Sequence, residues 1–162
     1  VVCDSQVVLK MVADTPAEIP CTTFSILFAR FKGDLCEEVR GAAAIDTLST
    51  GDKVLIAEAC THHAAEDDIG RVKIPRWISQ YTGKNLDFEM AAGPSFPSDI
   101  NDYCIIIQCG GCTISRTAYR NRLETAAQLG IPITNYGIAI SYVQGVLERV
   151  IRPFPEIKDM VF

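Results

Sequence analysis

Two short apolar runs dominate the hydrophobic pattern of this chain. Val54-Leu55-Ile56-Ala57-Glu58-Ala59 and Tyr103-Cys104-Ile105-Ile106-Ile107-Gln108 are nearly continuous rather than alternating, as expected of strands buried on both faces of a parallel sheet. They predict strands over 53–59 and 103–108, and weaker runs predict short strands over 18–23, 86–91 and 131–134. Helices are expected over 6–13 with Ser5 as cap, over 34–48 from an Asp34 cap, and from Ile74 to Thr82-Gly83. Two more are expected over 114–129, closed by Gly130, and over 139–150. The run 24–31 (FSILFARF) suits a buried helix or a strand and is assigned as helix. Residues 49–52 and 93–97 read as turn and loop, and 61–70 as a polar loop leading into a helix.

Strands alternating with helices predict an α/β fold with a mostly parallel sheet flanked by helices. The breaker at Lys32-Gly33 divides a first piece, 1–31, expected to be the end of a second α/β domain, from a complete domain over 32–162. In open sheets of this kind ligands gather beyond the carboxyl ends of the strands. Cys60 stands at the end of one apolar run and Cys109 at the end of the other, with Cys112 three residues on in Cys-Gly-Gly-Cys. Two distant sulfur positions are thus expected on one sheet edge.

Composition narrows the function classes. The 162 residues, 48% hydrophobic and 22% charged, describe a globular chain, and a net charge of −5 argues against nucleic acid or an anionic membrane as partner. No apolar run approaches the roughly 20 residues that a membrane helix requires. The opening Val1-Val2-Cys3-Asp4 has neither an initiator Met nor a basic leader, which predicts a fragment of a longer, cytoplasmic protein. Seven cysteines, an odd number, fit a reducing compartment better than a disulfide framework. Cys3, Cys21, Cys36 and Cys104 lie in or beside apolar segments and read as small core residues.

Cys109-Gly110-Gly111-Cys112 alone is compatible with a redox dithiol or a structural pair. Its two glycines let the backbone wrap closely and turn N–H groups towards a bound group. Cys60, with His62 two positions later, adds a third thiolate and an imidazole, a set that suits structural zinc or an iron–sulfur cluster. Sulfurs at sheet edges, rather than on two short chelating loops, favour the larger cluster, while zinc, dithiol and purely structural readings stay open. His62 is a candidate fourth ligand, and Glu66 and Asp67, from the acidic run 66–68, are candidate oxygen ligands. His63 reads as a surface residue. Arg71, Lys73, Arg76 and Arg116 either balance those acids or neutralise an anionic cluster.

The motifs are more specific than their spacing. Cys-Thr-His-His-Ala-Ala-Glu-Asp-Asp-Ile-Gly-Arg-Val-Lys-Ile-Pro-Arg-Trp (60–77), Gln-Cys-Gly-Gly-Cys (108–112) and Ile-Pro-Ile-Thr-Asn-Tyr-Gly (131–137) resemble the C-terminal region of the HydF family of FeFe-hydrogenase maturation scaffolds. Asp4-Ser5-Gln6 and 23–30 resemble it too. The resemblance implies a GTPase, a dimerisation domain and a cluster domain, of which this chain holds the end of the second and the whole of the third. No Gly-x-x-x-x-Gly-Lys-Ser/Thr phosphate loop is present, so no catalytic residue is assigned and GTP hydrolysis is not ascribed to these residues. By position, the resemblance implies a 4Fe-4S cluster on Cys60, Cys109 and Cys112 with an exchangeable fourth site. That site would carry a diiron precursor, built by radical-SAM maturases, to apo FeFe-hydrogenase, in a protein expected to be a homodimer. A second family histidine is replaced by Gln108, an amide and a poor iron ligand.

Overall fold

The computed structural model describes residues 1–59, 67–93 and 95–157. Four strands, β1 (Lys53–Glu58), β2 (Asp87–Ala92), β3 (Ile105–Gln108) and β4 (Ile133–Asn135), form one sheet in the order β2-β1-β3-β4, and every pairing is parallel. Helices cover both faces. Val54, Ile56, Ile105 and Ile107 pack into one core with Ile74 and Ile78 of α4 (Ile74–Thr82) and with Ile138 and Ile140 of α6 (Tyr136–Val143). Leu55, Ala57, Ile106 and Ile133 face the other way, onto Tyr119, Leu123 and Ala126 of α5 (Arg116–Leu129). The period-2 pleat sends alternate residues of one run to two different cores, which is why β1 and β3 carry apolar side chains at almost every position.

The remaining helices belong to the first core. They are α1 (Val8–Asp14), α2 (Phe24–Lys32), α3 (Leu35–Ala43) and α7 (Leu147–Ile151), with Val8, Ile26, Ala29, Val39 and Val150 fully buried. Four starts have a side chain that accepts from the first turn: Thr23 for α2, Asp34 for α3, Ser115 for α5 and Asn135 for α6. Gly83 and Gly130 close α4 and α5 in the left-handed conformation. α3 lies so close to the edge strand that a Cβ on Gly41 would stand 1.9 Å from the Ile133 carbonyl oxygen. The helix thereby covers an edge that would otherwise invite pairing.

Four expectations change. Of the four cysteines expected in the core only Cys21 is buried; Cys36 is partly buried, and Cys3 and Cys104 are exposed. The segment 18–23 is not a strand: Pro20 interrupts it, and it contributes a single parallel bridge between Val2 and Thr23. The helix expected over 34–48 ends at Ala43 and continues as a 3₁₀ turn, Ala44–Thr47. The helix expected over 139–150 starts earlier, at the Asn135 cap, and divides at Gly145 (φ 69°) into α6 and α7. No described helix is long and apolar enough to cross a membrane.

Candidate metal centre

β1 and β3 lie side by side, yet the chain leaves β1 towards β2 and returns on the opposite side to form β3. Their carboxyl ends therefore border the point where the winding direction reverses, the customary ligand crevice of an open α/β sheet. Cys109 continues the ladder there. Its N–H donates to the Ala57 carbonyl (2.9 Å), and its Sγ accepts the N–H of Ala59 (3.1 Å). The amide of the residue that precedes Cys60 thus touches the sulfur of Cys109. Cys60, His62, His63 and Glu66 themselves lie outside the described residues.

Cys109 is half-buried and Cys112 exposed. Between them Gly111 adopts φ 61°, and a Cβ there would meet the Tyr119 ring at 2.7 Å, so close approach as well as left-handed backbone requires glycine. α5 starts only at Arg116, after a turn in which the Ile114 N–H reaches the Gly111 carbonyl (3.3 Å). The two thiols stand on a loop ahead of the helix, not on its first turn, where a redox dithiol draws its thiolate stabilisation.

The surroundings combine cations with buried acids. Lys32, the last residue of α2, donates to the carbonyls of Gly111 (2.8 Å) and Ile114 (2.9 Å) and more distantly to that of Cys112 (3.4 Å). Arg122 is 3% exposed on α5 and donates to the carbonyls of Glu58 and Gly93, joining the ends of β1 and β2, with Phe96 under its guanidinium. Burial lowers its pKa, against the opposing pull of the neighbouring Cys109 sulfur. Glu58 is buried and accepts from Arg71 (3.1 Å). Beneath the loop, the fully buried Glu38 accepts from the Tyr119 hydroxyl. Burial pushes its carboxyl up to about 8, against the opposing hydrogen bond of Tyr119.

Gln108 is fully buried at the end of β3, close to Glu38, and neither atom of its amide has a hydrogen-bond partner among the described residues. Asp67 is exposed and pairs with Lys73 (2.7 Å), which also donates to Gln6. Asp68 caps the π-helical turn Ile69–Lys73 through the N–H groups of Gly70 and Arg71. Arg71 and Lys73 have carboxylate partners, whereas Arg76 and Arg116 are exposed. The described residues contain no group of three or more His, Cys, Asp or Glu placed to hold one metal ion. Four residues around the loop escaped the sequence reading. Glu38 and Arg122 each occupy the i+3 position of an otherwise apolar stripe, Leu35-Glu38-Val39-Ala42 and Tyr119-Arg122-Leu123-Ala126, and a charge inside such a stripe is a signal. Tyr119 and Lys32 carry no comparable mark.

Fold and site define a doubly wound, parallel α/β domain that presents thiols at its switch point. Residues 36–153 match the family model of the hydrogen maturase F (HydF) tetramerization domain, and residues 1–33 match that of the hydrogen maturase F dimerization domain. The first match alone spans well over half of the chain, which belongs to the HydF family of hydrogenase maturation proteins. No curated protein matches the sequence.

Proposed function

We propose that this chain is a cluster-carrying scaffold of hydrogenase maturation. Cys60, Cys109 and Cys112 hold a 4Fe-4S cluster, and the fourth iron site stays exchangeable. The observation that carries this reading is the contact between the Ala59 N–H and the Cys109 Sγ, in which the residue before Cys60 in sequence meets the second thiol. The donor set fits such a group. Sulfur is the preferred ligand of iron–sulfur clusters, backbone N–H groups aimed at sulfur tune them, and Arg122 and Lys32 supply positive charge beside an anionic centre.

Three soft thiolates fix the cluster, and a replaceable fourth ligand leaves one iron open to an incoming bridge. His62, Glu66 and Asp67 are the candidates for that position, and the Asp67–Lys73 ion pair must open before Asp67 can serve. The open site would hold a diiron precursor made by radical-SAM maturases and pass it to apo FeFe-hydrogenase. Residues 1–33 would contribute to a homodimer. The helix start beyond Cys112 weighs against a dithiol oxidoreductase.

Anaerobic reconstitution with iron and sulfide, followed by visible absorption and metal analysis, tests the reading. A broad sulfur-to-iron absorption with iron bound supports it. Stoichiometric zinc without iron would leave a structural zinc domain instead.

A further inference from the structure

Lys32 ends the helix that closes the region matched by the dimerization model, yet its ammonium serves the cysteine loop of the other region. Its reach to the carbonyls of Gly111, Ile114 and Cys112 engages three acceptors on one arc, and an ammonium has three hydrogens to give. Nζ also lies 5.0 Å from the centre of the Phe28 ring, one turn back on α2. The next residue, Gly33, fits against Glu38 and Tyr119, each of which a Cβ would approach to 2.7 Å. Tyr119 in turn fills the space against Gly111. The arc carrying Cys112 is thereby held on one side by the end of α2 and on the other by a buried tyrosine.

We propose that Lys32 is a positioning residue for Cys112: from α2 it fixes the Gly111–Ile114 arc, so that presentation of this thiol depends on the dimerization segment. The metal consequence rests on the cluster reading above, whereas the positioning itself does not. Any displacement of α2 would then reach the cluster loop through this ammonium. Loss of the ammonium leaves three carbonyls to water and frees the arc, with every sulfur still in place.

The test compares wild type, Lys32→Met and Lys32→Arg of the full chain by hydrogen exchange of the metal-free protein and by iron bound after anaerobic reconstitution. In Lys32→Met, exchange of the 110–115 amides is expected to accelerate about fivefold or more, as for a loop released from charge-assisted bonds, while β3 and the core of α5 stay unchanged. Iron retention falls in parallel, and Lys32→Arg, which keeps donors and charge, restores part of both. Unchanged loop exchange in a folded Lys32→Met protein overturns the proposal, as does a freed loop with full iron retention. Lys32→Gln replaces Lys32→Met if the latter does not fold. A wild type that takes up no iron refutes the cluster reading, and loop exchange then decides the role of Lys32 alone.

Discussion

The Tyr119 hydroxyl lies within hydrogen-bond reach of both carboxyl oxygens of Glu38, at 2.9 and 3.0 Å, directly beneath the loop that carries Cys109 and Cys112. Both side chains are fully buried. Burial raises the Glu38 pKa from 4.5 to about 8, so the folded protein holds this proton through neutral pH. The corresponding contribution to stability is complete below about pH 4.5 and is lost as pH rises through about 8. Glu38→Gln removes the titration. Chemical denaturation at pH 5, 7 and 9 is expected to give a variant comparable to wild type at pH 5 and more stable at pH 9. A wild type whose stability does not fall across that range would refute the assignment.

Tyr119→Phe keeps the ring against Gly111 and removes the donor to Glu38. A buried polar group left unmatched costs about 1–3 kcal/mol. In a chain of this length that lowers Tm by several degrees, at about 2–4 °C per kcal/mol, measurable by calorimetry.

The two spacer glycines should differ sharply. Gly111→Ala forces a side chain into left-handed backbone and against the Tyr119 ring, and is expected to cost about 2 kcal/mol or more. A Cβ on Gly110 would meet Phe28 and Ser25 only at 3.8 and 3.9 Å, ordinary contact, so Gly110→Ala should stay within about 1 kcal/mol of wild type. Parallel thermal melts decide.

Arg122→Met retains length but abandons the carbonyls of Glu58 and Gly93. The expected loss is about 2–4 kcal/mol, the cost of leaving buried acceptors unmatched. The strand ends beside Cys109 should show it first, as faster amide exchange at 58–59 and 92–93.

Much of this architecture is legible in the sequence because burial on two faces leaves so plain a trace. The runs ending at Glu58 and Gln108 predict β1 and β3, and the alternation of strands with helices predicts a mostly parallel sheet; that β1 and β3 are neighbours, with β2 on the other side of β1, comes from the structure. The cap residues Asp34 and Gly130 were equally readable. Failures cluster where one residue outweighs the pattern: Pro20 removes a ladder donor from 18–23, and Gly145 turns the chain between α6 and α7. At the site, Cys109 could be placed from sequence because it follows directly from the end of β3, and Cys112 because it lies three residues on. The clamp by Lys32 could not, since a lysine ending an amphipathic helix is by default solvated, and its three acceptors lie about 80 residues away. The amide of Gln108 predicts a poor iron ligand, but its place beside Glu38 needed the three-dimensional register.

In the proposed scaffold, Cys60 and the Cys109–Cys112 pair share one cluster. The most direct test is the iron and labile sulfide content, with the EPR spectrum of the reduced protein, of anaerobically reconstituted wild type and Cys60→Ser. The account predicts about four iron and four sulfide per chain with a reduced-cluster signal in wild type, and loss of most of both in Cys60→Ser. Full retention of the cluster and an unchanged spectrum in Cys60→Ser would contradict it.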